Sequence, residues 1–323
     1  MQNLLDPAIL FFVFGVIAGA LKSDLEIPPP IAKFLSLYLL MAIGLKGGFA
    51  LALSGLGPSV MLSLTAALLM ACVVPALGYR FLKAWVPPLD AAAIAASYGS
   101  VSAVTFVTAM QYLEAHAMSP GGHMAVALVV MESPAVIMAV LLANALRHRP
   151  AGTLAVSTPG GAGVATLGGP TAAAPMGKIL HESFTNGAHL LLLGAMAVGL
   201  LSGEAGKEMM APFSSDLFKG MLAFFLLDMG LMVARNFGQV RGRSPVLLAY
   251  ASIGPLVHAA MALGLSMLLQ LPAADAALLM VLSASASYIV VPAVLRYAIP
   301  EANPSLYFGL SLGVTFPLNI LFG

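Results

Sequence analysis

The amino-acid sequence predicts an all-α integral membrane protein with ten transmembrane helices, arranged as two inverted five-helix repeats whose fourth and ninth helices are broken. Three observations lead there. Of the 323 residues, 60% are hydrophobic and only 8% charged, against roughly 25% charged and 45–50% apolar in soluble domains. Apolar runs of membrane-spanning size follow one another along the chain with little polar sequence between them. Motifs of the first half then recur in the second at nearly one offset.

The composition also excludes classes of function. Fourteen Lys and Arg against thirteen Asp and Glu leave a formal charge of +1, so there is no basic surplus for a nucleic acid backbone. Cys72 is the only cysteine, which removes any intrachain disulfide and any cysteine-based zinc or iron–sulfur site. A span needs about 20 apolar residues. The first five runs lie near 7–21, 31–54, 58–82, 88–117 and 121–147, and five more near 183–203, 212–238, 245–270, 273–299 and 304–322. Residues 1–148 form the first five-helix repeat and 181–323 the second. Between them, 149–180 is rich in Ala, Gly, Thr and Pro without apolar periodicity, and reads as a flexible cytoplasmic linker.

Ten crossings place the two termini on the same side. Lys46, Lys207 and Lys219 fall there, whereas Lys22, Lys33, Arg80, Lys83, Arg147, Arg149, Lys178, Arg235, Arg241, Arg243 and Arg296 fall opposite. Positive charge marks the cytoplasmic face, so both termini are expected to be extracytoplasmic. The opening MQNLLDPAIL has no basic n-region and no small-residue cleavage site follows the apolar run, so the first helix is expected to be retained.

The repeat is read from three alignments. LLMAIGL (39–45) matches FLLDMGL (225–231) at an offset near 186. PLDAAAIAASYGSVSAVT, with Asp90, Ser100 and Ser102, matches PAADAALLMVLSASASYIV, with Asp275, Ser285 and Ser287, at 185. The fifth and tenth spans carry central prolines, Pro134 and Pro317. An odd number of crossings per half inverts the second copy, which is the architecture of secondary transporters with a midplane substrate site at interrupted helices.

Those interruptions are expected in the fourth and ninth spans. Tyr98, Gly99, Ser100 and Ser102 sit midway along the one, and Ser283, Ser285, Ser287 and Tyr288 hold the related place in the other. Gly and Ser let a helix stop and restart with a side-chain cap. Two new helix N-termini facing each other would bind a small anion, and Ser hydroxyls, freed carbonyls and Thr105 offer the hard oxygens that sodium requires. The competing reading is close helix packing through small residues. Two acids lie deep in spans, Glu132 and Asp228, at a cost of roughly 2.5–3.5 kcal/mol each. Glu132, beside Ser133 and Pro134, reads as a cation or proton site; Asp228, opposite Ala42 in the repeat, reads as an interhelix hydrogen bond. His258 reads as packed and hydrogen-bonded. The other histidines, His116, His123, His148, His181 and His189, show no metal-ligand spacing. Intramembrane hydrolase chemistry lacks its motifs: no GxGD surrounds Asp228, and neither HExxH nor a spaced Ser/His pair occurs.

LEIPPPIAKFLSLYLLMAIGLKGGFAL (25–51), YGSVSAVT (98–105), VMESPAVIMAVLLANAL (130–146) and LRYAIPEANPSLYFG (295–309) together resemble the cyanobacterial sodium-dependent bicarbonate transporter family and its relatives in other bacteria. The resemblance runs over nearly the whole chain in the same order. It implies a ten-helix protomer divided into a gate and a core domain, usually a homotrimer, that moves bicarbonate with sodium. It also carries the anion site onto Gly99, Ser100, Ser102, Thr105, Ser285 and Ser287. Glu132 stands where the family has an aspartate. The chain departs from the family pattern at Tyr288 and Val290–Val291, which replace an aspartate and a Ser-Gly pair, and at Ala103–Val104, which replace a Gly-Ser pair. The linker is shorter than in cyanobacterial relatives, which leaves docking of their PII-like regulatory protein open.

The expected function is therefore sodium-coupled symport of a small anion, bicarbonate first, by alternating access, with no enzymatic activity and no organic cofactor. The expected substrate ligands are Tyr98, Gly99, Ser100, Ser102, Ser285, Ser287 and Tyr288, and the ion ligands Thr105, Glu132 and Ser283. Three alternatives stand beside it: a sodium- or proton-coupled carrier of an organic carboxylate, a passive channel, and a relative that senses without transporting.

Overall fold

The computed structural model describes residues 6–55, 57–147, 187–239, 244–288 and 290–322. The expected linker at 149–180 lies outside the described residues, as do His148, Arg149, Lys178, His181, Arg241 and Arg243. The described residues form helices and their connections, without a strand among them.

Thirteen α-helices follow in order: α1 Pro7–Ala20, α2 Pro29–Ser54, α3 Pro58–Leu82, α4 Pro88–Gly99, α5 Ala103–Ala115, α6 Met124–Arg147, α7 Gly187–Ala211, α8 Phe218–Asn236, α9 Pro245–Leu268, α10 Ala273–Ala284, α11 Val290–Ala298, α12 Pro304–Leu310 and α13 Phe316–Phe322. Two π-helical turns, Pro212–Asp216 and Ser311–Thr315, precede α8 and α13. Proline opens six of these helices, because its fixed φ suits the first turn and its missing N–H is not needed there. At α1 the Asp6 carboxylate also accepts from the Ala8 N–H at 2.8 Å.

Seven helical stretches among the described residues are long and apolar enough to cross a membrane, which makes the chain a multi-pass membrane protein. One of them, Leu190–Asn236, has 47 residues. Straight, it would measure roughly 70 Å, more than twice a bilayer's hydrocarbon core. It is not straight. Gly203, at φ 58, turns the chain, and the Tyr38 hydroxyl of α2 donates to the Phe213 carbonyl in the π turn that follows.

The helices pack in two groups. In the first, α1 lies along α8 and α2 along α7, both seams closed by glycine. A Cβ on Gly15 would collide with the Leu227 carbonyl, and one on Gly48 with the Met196 carbonyl, so backbones touch where apolar side chains could gain nothing over lipid. The second group surrounds α4, whose residues Ala91 to Gly99 are all buried against α3, α6 and α12. Leu39 and Ile43 of α2 and Phe225 of α8 share one apolar cluster with Val104, Leu128 and Tyr288, and the functional geometry lies at this junction.

Candidate functional site

The backbone leaves the helix at corresponding places in two spans. α4 ends at Gly99 and Ser100 is extended, φ −98 and ψ 179. α10 ends at Ala284 and Ser285 is extended, φ −82 and ψ 168. The chain restarts behind a serine in both places: Ser102 caps α5, its Oγ accepting from the Thr105 N–H at 3.2 Å, and Ser287 Oγ, ahead of α11, accepts from the Val291 N–H in its first turn at 3.3 Å. Such bonds satisfy only one of the first-turn N–H groups of each new helix. The two unwound segments cross and bond to each other. The Ser102 N–H donates to Ser285 Oγ at 3.0 Å, and the Ser287 N–H to the Ser97 carbonyl at 2.7 Å.

Around this crossing sit hydroxyls without partners. The Oγ atoms of Ser97, Ser100 and Ser283 and the Oγ1 of Thr105 are buried and make no hydrogen bond among the described residues. Elsewhere, helical hydroxyls such as those of Thr108, Ser214, Ser252 and Ser311 bond back to the carbonyl four residues earlier. A buried polar atom without a partner costs about 1–3 kcal/mol, so the four hydroxyls at this crossing retain unused capacity for polar contacts.

A cavity of about 90 Å³ adjoins the crossing, between the two helix groups. Its polar wall is Ser36, Ser102, Glu132, Ser287 and Tyr288, and Leu39 and Phe225 close it from the side of α2 and α8. Ser102 Oγ donates weakly to the Tyr288 phenol oxygen at 3.4 Å, which leaves the phenol its own proton to give. Glu132 is buried on α6, at 7% exposure. On another flank, Thr105 and Asn319 line a second cavity of about 190 Å³.

The ten expected site residues are therefore divided. Ser102, Ser287, Tyr288 and Glu132 line the first cavity, and Thr105 lines the second. Ser100, Ser283 and Ser285 are buried on the broken segments between. Tyr98 and Gly99 face elsewhere: the Tyr98 hydroxyl pairs with Thr315 at 2.7 Å, and Gly99 is pressed so closely on Pro75 that a Cβ would collide with its ring. Asp228 is buried on α8. His258 is buried, and its Nδ1 has no partner among the described residues, so the hydrogen bond expected of it is missing at that atom.

Three features escaped the sequence reading. Ser36 is a lone hydroxyl in an apolar run and carried no signal. Asn319, an amide deep in the last span, carried one that could have been used, since such residues are costly in a membrane. The third is a pair of clamps at the starts of the broken spans. The Asp90 carboxylate accepts from the Asn303 N–H at 2.7 Å, and the Asp275 carboxylate from the Gly121 N–H at 2.7 Å. Each aspartate thereby ties its span to a connection in the opposite half. Asp275 also lies 3.3 Å from His123 Nε2, both side chains buried. No group of three or more His, Cys, Asp or Glu able to hold a metal ion occurs among the described residues.

Residues 7–323, nearly the whole chain, match the family model described as the Na+-dependent bicarbonate transporter superfamily. No curated protein matches the chain.

Proposed function

The chain belongs to the Na+-dependent bicarbonate transporter superfamily, and we propose that it is a secondary active transporter carrying a small anion, bicarbonate first, in symport with sodium by alternating access. The observation that carries this reading is the meeting of two helix N-terminal segments, one capped by Ser102 and one preceded by Ser287, on one cavity. Each N-terminus presents unsatisfied N–H groups and about half a positive charge. Two of them, with the Tyr288 phenol as donor, suit a planar anion of few atoms. The partnerless hydroxyls of Ser100, Ser283 and Thr105 and the Glu132 carboxylate offer oxygen ligands for the cation, whose charge would offset that of the anion.

The same reading organises the fold. Ten crossings in two inverted repeats account for the matched breaks at Ser100 and Ser285, the matched clamps of Asp90 and Asp275, and the exchange of partners by which α1 pairs with α8 and α2 with α7. The α1, α2, α7, α8 group is the gate, and the remainder the core that moves against it. We place the protein in a bacterial inner membrane with both termini periplasmic, as a homotrimer, with a PII-like protein as a candidate regulator.

A second reading keeps the carrier and changes the cargo. Leu39, Val104, Leu128 and Phe225 make most of the cavity wall apolar, which favours a short organic carboxylate with a proton or sodium as partner.

Uptake of labelled bicarbonate into proteoliposomes, with and without an inward sodium gradient, tests both. Sodium-dependent accumulation whose half-saturation for bicarbonate rises about fivefold in Ser102→Ala is expected. Uptake unaffected by sodium, or folded protein that takes up none, overturns the symport reading, and suppression of uptake by a small excess of acetate or propionate moves the cargo to organic carboxylates.

A further inference from the structure

The last helix is wide at one turn, and its polar face meets both broken helices. Pro317 has no N–H, and its ring would press on the carbonyl four residues earlier in a regular helix. The turn Ser311–Thr315 absorbs this by opening to π-helical geometry, the Phe316 N–H reaching the Ser311 carbonyl. Such single wide turns recur at functional positions in helices. Thr315, the last residue of this turn, and Asn319 lie four residues apart, on one face.

Each makes one contact with a broken span. Thr315 Oγ1 donates to the Ala251 carbonyl of α9 at 2.7 Å. A hydroxyl has a single proton, so in the 2.7 Å contact with Tyr98 the phenol is the donor. Tyr98 is the residue before Gly99, where α4 stops. One turn further, Asn319 Nδ2 donates to the Ala284 carbonyl at 2.9 Å. Ala284 is the last residue of α10, and its carbonyl belongs to the final turn, which has no intrahelical partner. Tyr98 and Thr315 are both completely buried, at 1% and 0% exposure.

We propose that Thr315 and Asn319 are positioning residues of the transport site: through Tyr98 and the Ala284 carbonyl they hold the two helix ends, one each, from a single face of the last helix. Tyr98 is then a strut rather than a ligand. The proposal rests on the reading that the two breaks form the binding site, but it also makes a claim about the breaks themselves that needs no ligand.

The test uses full-length protein in nanodiscs and proteoliposomes, with Thr315→Val, Thr315→Ser, Tyr98→Phe and Asn319→Leu. Hydrogen exchange is followed in peptides covering 97–105 and 283–291, with peptides of α2 and α7 as reference, and half-saturation and maximal rate are measured for bicarbonate. Thr315→Val and Tyr98→Phe are expected to speed exchange at 97–105 about tenfold, as loss of one buried hydrogen bond allows. They should raise half-saturation by a similar factor while maximal rate stays within about twofold. Asn319→Leu should do the same at 283–291, and Thr315→Ser should behave as wild type. Unchanged exchange and half-saturation in Thr315→Val overturn the proposal. So do equal defects in Thr315→Ser and Thr315→Val, or exchange that rises uniformly over α2 and α7. If Thr315→Val does not fold, Tyr98→Phe carries the same test. Wild-type protein without bicarbonate uptake defeats the functional reading alone, because the exchange comparison still decides whether the struts hold the breaks.

Discussion

Ser102 and Ser285 are 183 residues apart and 3.0 Å from each other, the backbone N–H of the first donating to the hydroxyl of the second. The Ser285 hydroxyl itself donates to the Leu282 carbonyl at 2.7 Å, so it is fixed in orientation as well as place. With the reciprocal bond from the Ser287 N–H to the Ser97 carbonyl, the two broken spans are stitched at their weakest points. Neither break can shift without the other. Under the proposed alternating access, a site built this way would move as one body.

Ser285→Ala removes the acceptor and leaves the Ser102 N–H buried without a partner, at a cost of about 1–3 kcal/mol. The expected result is a thermal midpoint lower by roughly 2–6 °C and sodium-driven uptake reduced about tenfold or more. A differential scanning trace and an uptake series on the same preparation check both. A lowered midpoint with normal uptake would mean that the stitch serves folding alone.

The two serines should weigh alike. Ser102→Ala removes an N-cap and Ser287→Ala the acceptor of the Val291 N–H, each worth about 1 kcal/mol, next to the same cavity. Half-saturation for bicarbonate is expected to rise about fivefold in each. If both helix ends address one anion, as proposed, the double variant should fall short of the product of the single effects. Titration of uptake rate against bicarbonate concentration for the three variants measures the shortfall, and strictly multiplicative effects would separate the two serines into different sites.

The membrane class and the places of the helix breaks were legible because both depend on local sequence. Apolar run length sets a span, and Gly99-Ser100 or Ser285-Ala286-Ser287 between apolar segments marks where a helix can stop. Orientation of side chains was less legible. Tyr98, next to the break, reads as a ligand until Thr315 is placed beside it, and that contact joins residues 217 apart. Ser36 and Asn319 enter through packing between spans, which a single run of hydropathy does not encode. The aspartates were visible as a repeated pair, but their partners, the N–H groups of Asn303 and Gly121, are backbone atoms that carry no sequence signature at all.

Tyr288 carries the main departure from the family pattern and faces the cavity with its ring 5.0 Å from that of Phe316. Tyr288→Phe keeps the volume and removes the phenol. The expected outcome is an unchanged midpoint and half-saturation for bicarbonate raised about threefold to tenfold, the worth of one modest hydrogen bond. Tyr288→Ala instead empties space beside Ser102, and acetate and propionate should then compete with labelled bicarbonate where they did not before. Competition already present in wild-type protein would favour the organic carboxylate reading.

Gly99 is defined by contact rather than by conformation. A methyl there meets the ring of Pro75 in α3, inside the most completely buried part of the molecule, and overpacking of this kind costs about 1–3 kcal/mol. Gly99→Ala should reduce the yield of monodisperse protein and lower its midpoint, and Pro75→Ala in the same chain should return part of the loss. The sign of the coupling energy in that double-mutant cycle tests the clash directly.

Lys46 Nζ lies 2.9 Å and 3.1 Å from the two carboxylate oxygens of Glu114 and 4.7 Å above the Phe218 ring, so it joins α2 and α8 of one group to α5 of the other. Beside it Gly122, ahead of α6, packs directly on Gly47. Leu39, on the cavity wall, is seven residues earlier in α2, roughly 10 Å along the axis. The ion pair therefore bridges the two helix groups, and the proposed alternating access would have to break it once per cycle. Its side chains are 19% and 37% exposed, so its static contribution is small, about 0–1 kcal/mol, and its importance should appear in transport rather than in stability. Lys46→Glu sets two carboxylates against each other and is expected to slow uptake about fivefold with little change in midpoint. Glu114→Lys should do likewise, and the doubly reversed chain should recover most of the rate. If the double reversal is as slow as either single variant, the charges act separately and the junction is held by the glycine contact alone.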